Sequence, residues 1–490
     1  MKKILCLLLA LVCYQSEASN PVLTIEGGQV QGVKTDIKGV YVFRGIPYAA
    51  PPIKELRWKP PQPVVPWKGV KVADKFGHPG YQAVHYPGGY TTEWGYGDES
   101  PYSEDCLYLN VWTKAPGKSD KKLPVALWIH GGGYREGWGS EPEFDGQQWG
   151  NKDVVLVSIN YRLGVFGFLA HPELSKESPN HVSGNYGILD QIESLKWIKK
   201  NIAQFGGDPE NVTIFGQSAG AGSVKTLCES PLARGLFKRA IIMSGGGMTP
   251  APGRTPSMTA TNAGPGARAG GPGGFGPVTL AQAEVQTKEI MDWAGLTNVD
   301  KMRAASTETI YTVGSLYTAV TGKRARVSGA PIIDGYVSLK TFDAAARDNT
   351  LADIPYMIGF TLNDLGMVSQ GIPEFCLNRE QAGGKAYAYQ FARPLPTDGR
   401  DNVLKGAFHS SDLWYVFKSL QHCWRPMTAG DWKLSEVMLT AWSNFAKYGD
   451  PNGKNGETWV PYTKENPKFM VFKLGDGNKE NSGMGDPLRP

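Results

Sequence analysis

The sequence predicts an α/β protein with a mostly parallel central sheet flanked by helices, preceded by a small N-terminal β meander. Three observations lead there. Unbroken apolar runs recur from residue 125 onward, segments with helical spacing alternate with them, and residues 21 to 112 instead hold short alternating apolar stretches rich in prolines and aromatics. An apolar run without alternation suits a strand buried on both faces, and strands alternating with helices imply right-handed parallel crossovers.

In chain order, residues about 21 to 112 read as the meander. Val125-Ala126-Leu127-Trp128-Ile129 and Val154-Val155-Leu156-Val157-Ser158-Ile159 read as buried strands. Asp190 to Gln204 has helical spacing, with Ile192, Leu195, Ile198 and Ile202 on one face. Val212-Thr213-Ile214-Phe215 and Ala240-Ile241-Ile242-Met243 are two further strands, and helical patterning resumes at Thr279 and after Thr428. Residues 245–277 are a Gly/Pro-rich insert without the apolar content to pack, expected to be a mobile loop. No break marks an independent domain, so 19–490 is expected to fold as one.

Lys2 and Lys3 precede the apolar stretch Ile4 to Tyr14, which is too short to span a bilayer, and Ser16-Glu17-Ala18 resembles a cleavage site. Residues 1–18 therefore read as a signal peptide, and the mature chain as secreted or periplasmic, with no membrane association after cleavage. The net charge of +5, from 51 basic and 46 acidic residues without a basic stripe, speaks against a nucleic-acid partner. Cleavage leaves Cys106, Cys228, Cys376 and Cys423, whose pairing the sequence does not fix; Cys376 with Cys423 is one guess. With no C-x-x-C and no H-E-x-x-H, neither a metal nor another cofactor is expected.

Gly216-Gln217-Ser218-Ala219-Gly220 is a G-x-S-x-G motif. Among 61 glycines chance supplies about half an instance, so the context decides. The motif follows the strand "VTIF" and opens a helix-forming run. A sharp strand-to-helix turn needs glycines two residues either side of the serine, and it points a helix N-terminus at developing negative charge. Ser218 is the candidate nucleophile. His130-Gly131-Gly132-Gly133-Tyr134 follows the strand "VALWI", and the N–H groups of Gly132, Gly133 and Ala219 are the candidate oxyanion donors.

These motifs and their flanks resemble the type-B carboxylesterases, an α/β-hydrolase family that includes the cholinesterases. "FRGIPYAAPP" (43 to 52), "EDCLYLNVW" (104 to 112), "NYRLGVFGFL" (160 to 169), "PLARGLFKRAIIMSG" (231 to 245) and "WSNFAKYGDPN" (442 to 452) are family-like, so the resemblance covers most of the mature chain. It implies the α/β-hydrolase fold, a serine carboxylic-ester hydrolase working through an acyl-enzyme, and a small-molecule ester as substrate. It also implies His409, in "GAFHSSDLWYVF", as the base. The acid departs from the family pattern: Asp364-Leu365 stands where a Glu-Gly pair is expected, with Asp334 of "PIIDG" as the alternative. Aspartate can hold an imidazole tautomer as glutamate does, from a closer loop.

Further departures follow from the same resemblance. Tyr81 stands where a cysteine partner of Cys106 is expected, so Cys106 is expected as an unpaired buried thiol. Gln217 replaces a glutamate of the cholinesterases, which argues against choline esters. Two structural ion pairs are implied, Arg57 with Glu104 and Arg162 with Asp190. Trp94, Tyr96 and Tyr134 could line the pocket or belong to the core. The alternatives to an esterase are a catalytically inactive binding or adhesion protein on the same fold, and an amidase or lactonase using the same triad. Neither the natural ester nor the oligomeric state is legible.

Overall fold

The computed structural model describes residues 20–84, 88–94, 101–248, 278–325, 329–366, 368–400, 403–454 and 458–489. The expected signal peptide 1–18, residues 249–277 of the Gly/Pro-rich insert, and Tyr96 lie outside the described residues.

Strands β1 (Val22–Ile25), β2 (Gly28–Gln31) and β5 (Val70–Val72) make a small sheet. Eleven strands make the large one: β3 (Val33–Lys34), β4 (Tyr41–Pro47), β6 (Tyr108–Thr113), β7 (Leu123–Ile129), β8 (Val155–Ile159), β9 (Gly207–Gln217), β10 (Arg239–Met243), β11 (Tyr356–Thr361), β12 (Ala386–Phe391), β13 (Phe469–Phe472) and β14 (Gly483–Gly485). Their order is β14-β13-β12-β11-β10-β9-β7-β8-β6-β4-β3. From β8 through β13 every neighbouring pair is parallel, and antiparallel strands extend both edges. The N-terminal meander is thus divided. β4 and β6 join the large sheet because both of their faces are covered: Val42 and Trp112 lie in one core, Phe43 and Val111 in the other.

The same two cores explain the unbroken apolar runs. Along β7, Val125, Leu127 and Ile129 face the core shared with helices Tyr186–Asn201 and Ala219–Glu229, while Ala126 and Trp128 face the core under helix Ala429–Tyr448. Period-2 alternation persists, but both faces are dry. Trp128 sits within 5.0 Å of the ring centroids of Phe144, Phe215 and Phe417. The long helix begins at a capping box in which Thr428 and Asp431 satisfy each other's N–H groups.

Both expected ion pairs are present. Arg57 and Arg162 grip Glu104 and Asp190 through two nitrogens each, with Nη2–oxygen distances of 2.6 Å. The guess that Cys376 pairs with Cys423 is corrected. Cys376 lies in the core with Val224 and Leu227, Cys423 packs against the other, and the sheet stands between them. The four described cysteines are free, and Cys106 is buried as expected.

Candidate active site

Four parallel strands end on one edge, and each delivers a polar group there. Gly131–Gly133 follow β7, Ser218 follows β9, Ser244 follows β10, and Asp364 comes three residues after the end of β11. The carboxyl edge of a parallel sheet is where such folds place their crevice.

At the elbow, Ser218 has φ 56°, and its N–H donates to Met243 O (2.9 Å), tying the turn to β10. A Cβ on Gly220 would lie 2.0 Å from Ile129 O, and one on Gly216 would lie 2.5 Å from Gly220 C. Only glycine fits at either position, which is why the motif has its spacing. In the neighbouring loop Gly132, Gly133 and Tyr134 all have positive φ. A Cβ on Gly132 would lie 2.0 Å from Glu136 O, whereas Gly133 faces open space. Among the described residues, the N–H groups of Gly132, Gly133 and Ala219 donate to no protein acceptor. His130 supports this loop: burial lowers its pKa to about 4, so the neutral ring donates from Nδ1 to Gly131 O (2.9 Å) and stacks on Tyr161.

Asp364 and His409, 45 residues apart, meet with Oδ1 2.5 Å from Nδ1. Asn363 laces the two loops, donating through N–H to Ala407 O and accepting from Ala407 N–H, both at 2.9 Å. The other carboxylate oxygen of Asp364 accepts from Ser244 Oγ (2.6 Å) and Thr361 N–H (3.0 Å). Burial alone would raise the Asp364 pKa. The hydrogen bond and charge of His409, with the bonds from Ser244 and Thr361, outweigh it and hold the carboxyl below its ordinary value. With Nδ1 donating to the carboxylate, the lone pair of His409 sits on Nε2, 3.1 Å from the Gln217 amide nitrogen. Nε2 therefore points at the residue next to Ser218.

Other expected residues lie elsewhere. Asp334 accepts N–H bonds from Tyr336, Val337 and Ser338 and is bound by Asn185, so it organises its own turn and does not reach His409. Trp94 is core, 5.5 Å from the Trp414 ring. Tyr134 packs edge-on against Phe168. Two neighbours of the site went unread in the sequence: Ser244, a polar group at a strand end where a crevice forms, and Tyr90, whose hydroxyl donates to His409 O (3.1 Å). Position at a strand end is a usable signal for the first; nothing local marks the second.

The family model "Carboxylesterase family" matches residues 19–375 and 367–484. The chain is 32% identical to fumonisin B1 esterase of Sphingopyxis macrogoltabida, covering 96% of this chain and 90% of that protein. It is 30% identical to para-nitrobenzyl esterase of Bacillus subtilis, over 93% and 95% of the two chains. A solved PNB esterase structure superposes with a TM-score of 0.75 at 25% identity, over 95% and 97% of the chains. A carboxylesterase of Geobacillus stearothermophilus gives 0.72 at 29% identity, over 95% and 98%. An α/β-hydrolase sheet with a glycine-bounded elbow, matched along nearly its whole length to proteins of one kind, leaves one conclusion: the chain belongs to the carboxylesterase family and is an enzyme that hydrolyses carboxylic ester bonds.

Proposed function

We propose that Ser218, His409 and Asp364 form the catalytic triad of this esterase, with Gly132, Gly133 and Ala219 as its oxyanion hole. The observation that carries the reading is the 2.5 Å contact between Asp364 and His409, which turns the ring's lone pair toward the elbow. His409 Nε2 takes the Ser218 proton as Oγ attacks the ester carbonyl. The three N–H groups stabilise the oxyanion, and Asp364 stabilises the imidazolium. The imidazolium returns the proton to the departing alcohol, leaving an acyl-serine. Water then attacks the acyl carbon, giving its proton to His409, and the carboxylic acid leaves as Oγ regains a proton.

Gln217, neutral and 3% exposed beside the nucleophile, places no carboxylate at the elbow and favours esters without a cationic alcohol. Two relatives are named for fumonisin B1 and for para-nitrobenzyl esters, so a bulky or aromatic ester of a carboxylic acid is the proposed substrate class. We read 19–490 as one folded unit, exported on the signal peptide 1–18. Hydrolysis of p-nitrophenyl esters of increasing acyl length by wild type and Ser218→Ala tests the mechanism. The variant is expected to fall by a factor on the order of 10⁴ or more while staying folded; equal rates would refute it.

A further inference from the structure

The short helix Gly89–Trp94 lies against the loop that carries His409, and what holds it is unusual. Its Glu93 side chain is completely buried, as is that of Arg425, its partner. Arg425 Nη2 and Nε reach the carboxylate at 2.5 and 2.9 Å, and Trp414 Nε1 adds a third donor at 3.2 Å. The guanidinium spends its other contacts on Pro396 O and Leu404 O, and stacks over Trp424 and over Phe408, the residue before His409. Every charge in this cluster is satisfied from a fixed direction. A buried ion pair is weak evidence for stability, and its directional bonds can instead serve to fix a register.

The register matters one turn earlier on the helix. Tyr90 packs against Trp94 and Phe408, and its hydroxyl donates to the carbonyl of His409. The following residue, Ser410, has φ 78°, a left-handed conformation costly for a non-glycine residue. The peptide between residues 409 and 410 is therefore turned against its own preference, and Tyr90 holds its carbonyl oxygen.

We propose that the Glu93–Arg425 ion pair is the anchor that seats helix Gly89–Trp94 on the His409 loop, and that Tyr90 is thereby a positioning residue for His409. The proposal rests on His409 being the general base. It acts through backbone, so it predicts a loss in kcat with KM and stability spared. Tyr90 is 36% exposed, and removing its hydroxyl leaves the ring packing intact.

The test is a cycle of three enzymes compared with wild type on p-nitrophenyl acetate and by thermal unfolding: Tyr90→Phe, the apolar double variant Glu93→Leu/Arg425→Met, and the triple combination. The double variant removes both charges together, so no unpaired charge is buried. Tyr90→Phe is expected to lower kcat about tenfold, the scale of one hydrogen bond, with KM and Tm unchanged. The folded double variant is expected to lose a similar factor, and adding Tyr90→Phe to it to lose nothing more. Wild-type kcat in Tyr90→Phe, or losses that multiply in the triple variant, would overturn the proposal. His409→Ala is the control: if it retained activity, the triad reading itself would have failed, whereas a dead His409→Ala beside a fully active Tyr90→Phe would remove the positioning role alone.

Discussion

The elbow at Ser218 and the Asp364–His409 pair stand on the same edge of one sheet, yet they are held in opposite ways. The elbow is local. Within five residues, two glycines leave no room for a Cβ, and Ser218 is forced to φ 56°. The acid and base are brought together over 45 residues by groups from several elements: Asn363 between the loops, Ser244 from β10, Gln217 from β9 and Tyr90 from the helix before β6. Steric exclusion is all-or-none, while a network of hydrogen bonds is graded. Substitutions on the two sides should therefore fail differently.

The largest effect is expected at the elbow. In Gly220→Ala the new methyl would need the space of the Ile129 carbonyl, 2.0 Å away, and backbone cannot yield as a side-chain tip can. Overpacking of this kind costs about 1–3 kcal/mol or more. The variant is expected to show a lowered Tm and no measurable esterase activity; a stable, active protein would show that the elbow has slack. Next comes Asp364→Asn, which keeps the volume but no longer selects the Nδ1–H tautomer of His409. A fall in kcat on the order of 10³–10⁴ is expected, with an unchanged circular dichroism spectrum. Ser244→Ala removes one of the bonds that lower the Asp364 pKa and leaves the others. Its kcat should fall about tenfold or less. A loss as deep as that of Asp364→Asn would mean Ser244 does more than support the carboxylate.

The same contrast explains what could be read from the sequence. The elbow, the glycine loop and the buried strands are consequences of neighbours along the chain, and the period and spacing of those residues report them directly. Helix Ala429–Tyr448 was visible from Thr428 onward because its cap is local too. The division of the meander was not, because only the pairing of β4 with β6 decides which sheet β4 joins. Asp364 was reachable through the family resemblance, but Asp334 stayed a rival until distances separated them: one carboxylate touches an imidazole, and the other touches three N–H groups of its own turn. Cys376 and Cys423 mislead for the same reason, since nothing in their spacing says that a sheet lies between them.

The smallest effect on rate sits just beyond the pair, at Asp412, where the consequence shows itself in stability as pH changes. Its side chain is fully buried, receives one hydrogen bond from the Tyr389 hydroxyl at 3.1 Å, and has no partner for Oδ1 among the described residues. Burial, and then the charge of Asp364, push its pKa from 3.8 up to about 7. Because the folded value lies above the unfolded one, the folded protein holds the extra proton between those limits. Asp412 therefore makes stability fall as pH rises from about 4 to about 7, by a few kcal/mol at roughly 1.4 kcal/mol per unit, and stay level above that. Asp412→Asn keeps the shape and is neutral throughout, so it escapes the fall. Glu143, whose pKa burial and Glu141 also raise, is shared by both proteins and cancels in the comparison. The Tm of Asp412→Asn minus that of wild type should increase between about pH 5 and pH 8 by several degrees. A difference that stayed constant over that range would mean that Asp412 is ionised at both ends, and that the ground behind the acid–base pair is wetter than its burial implies.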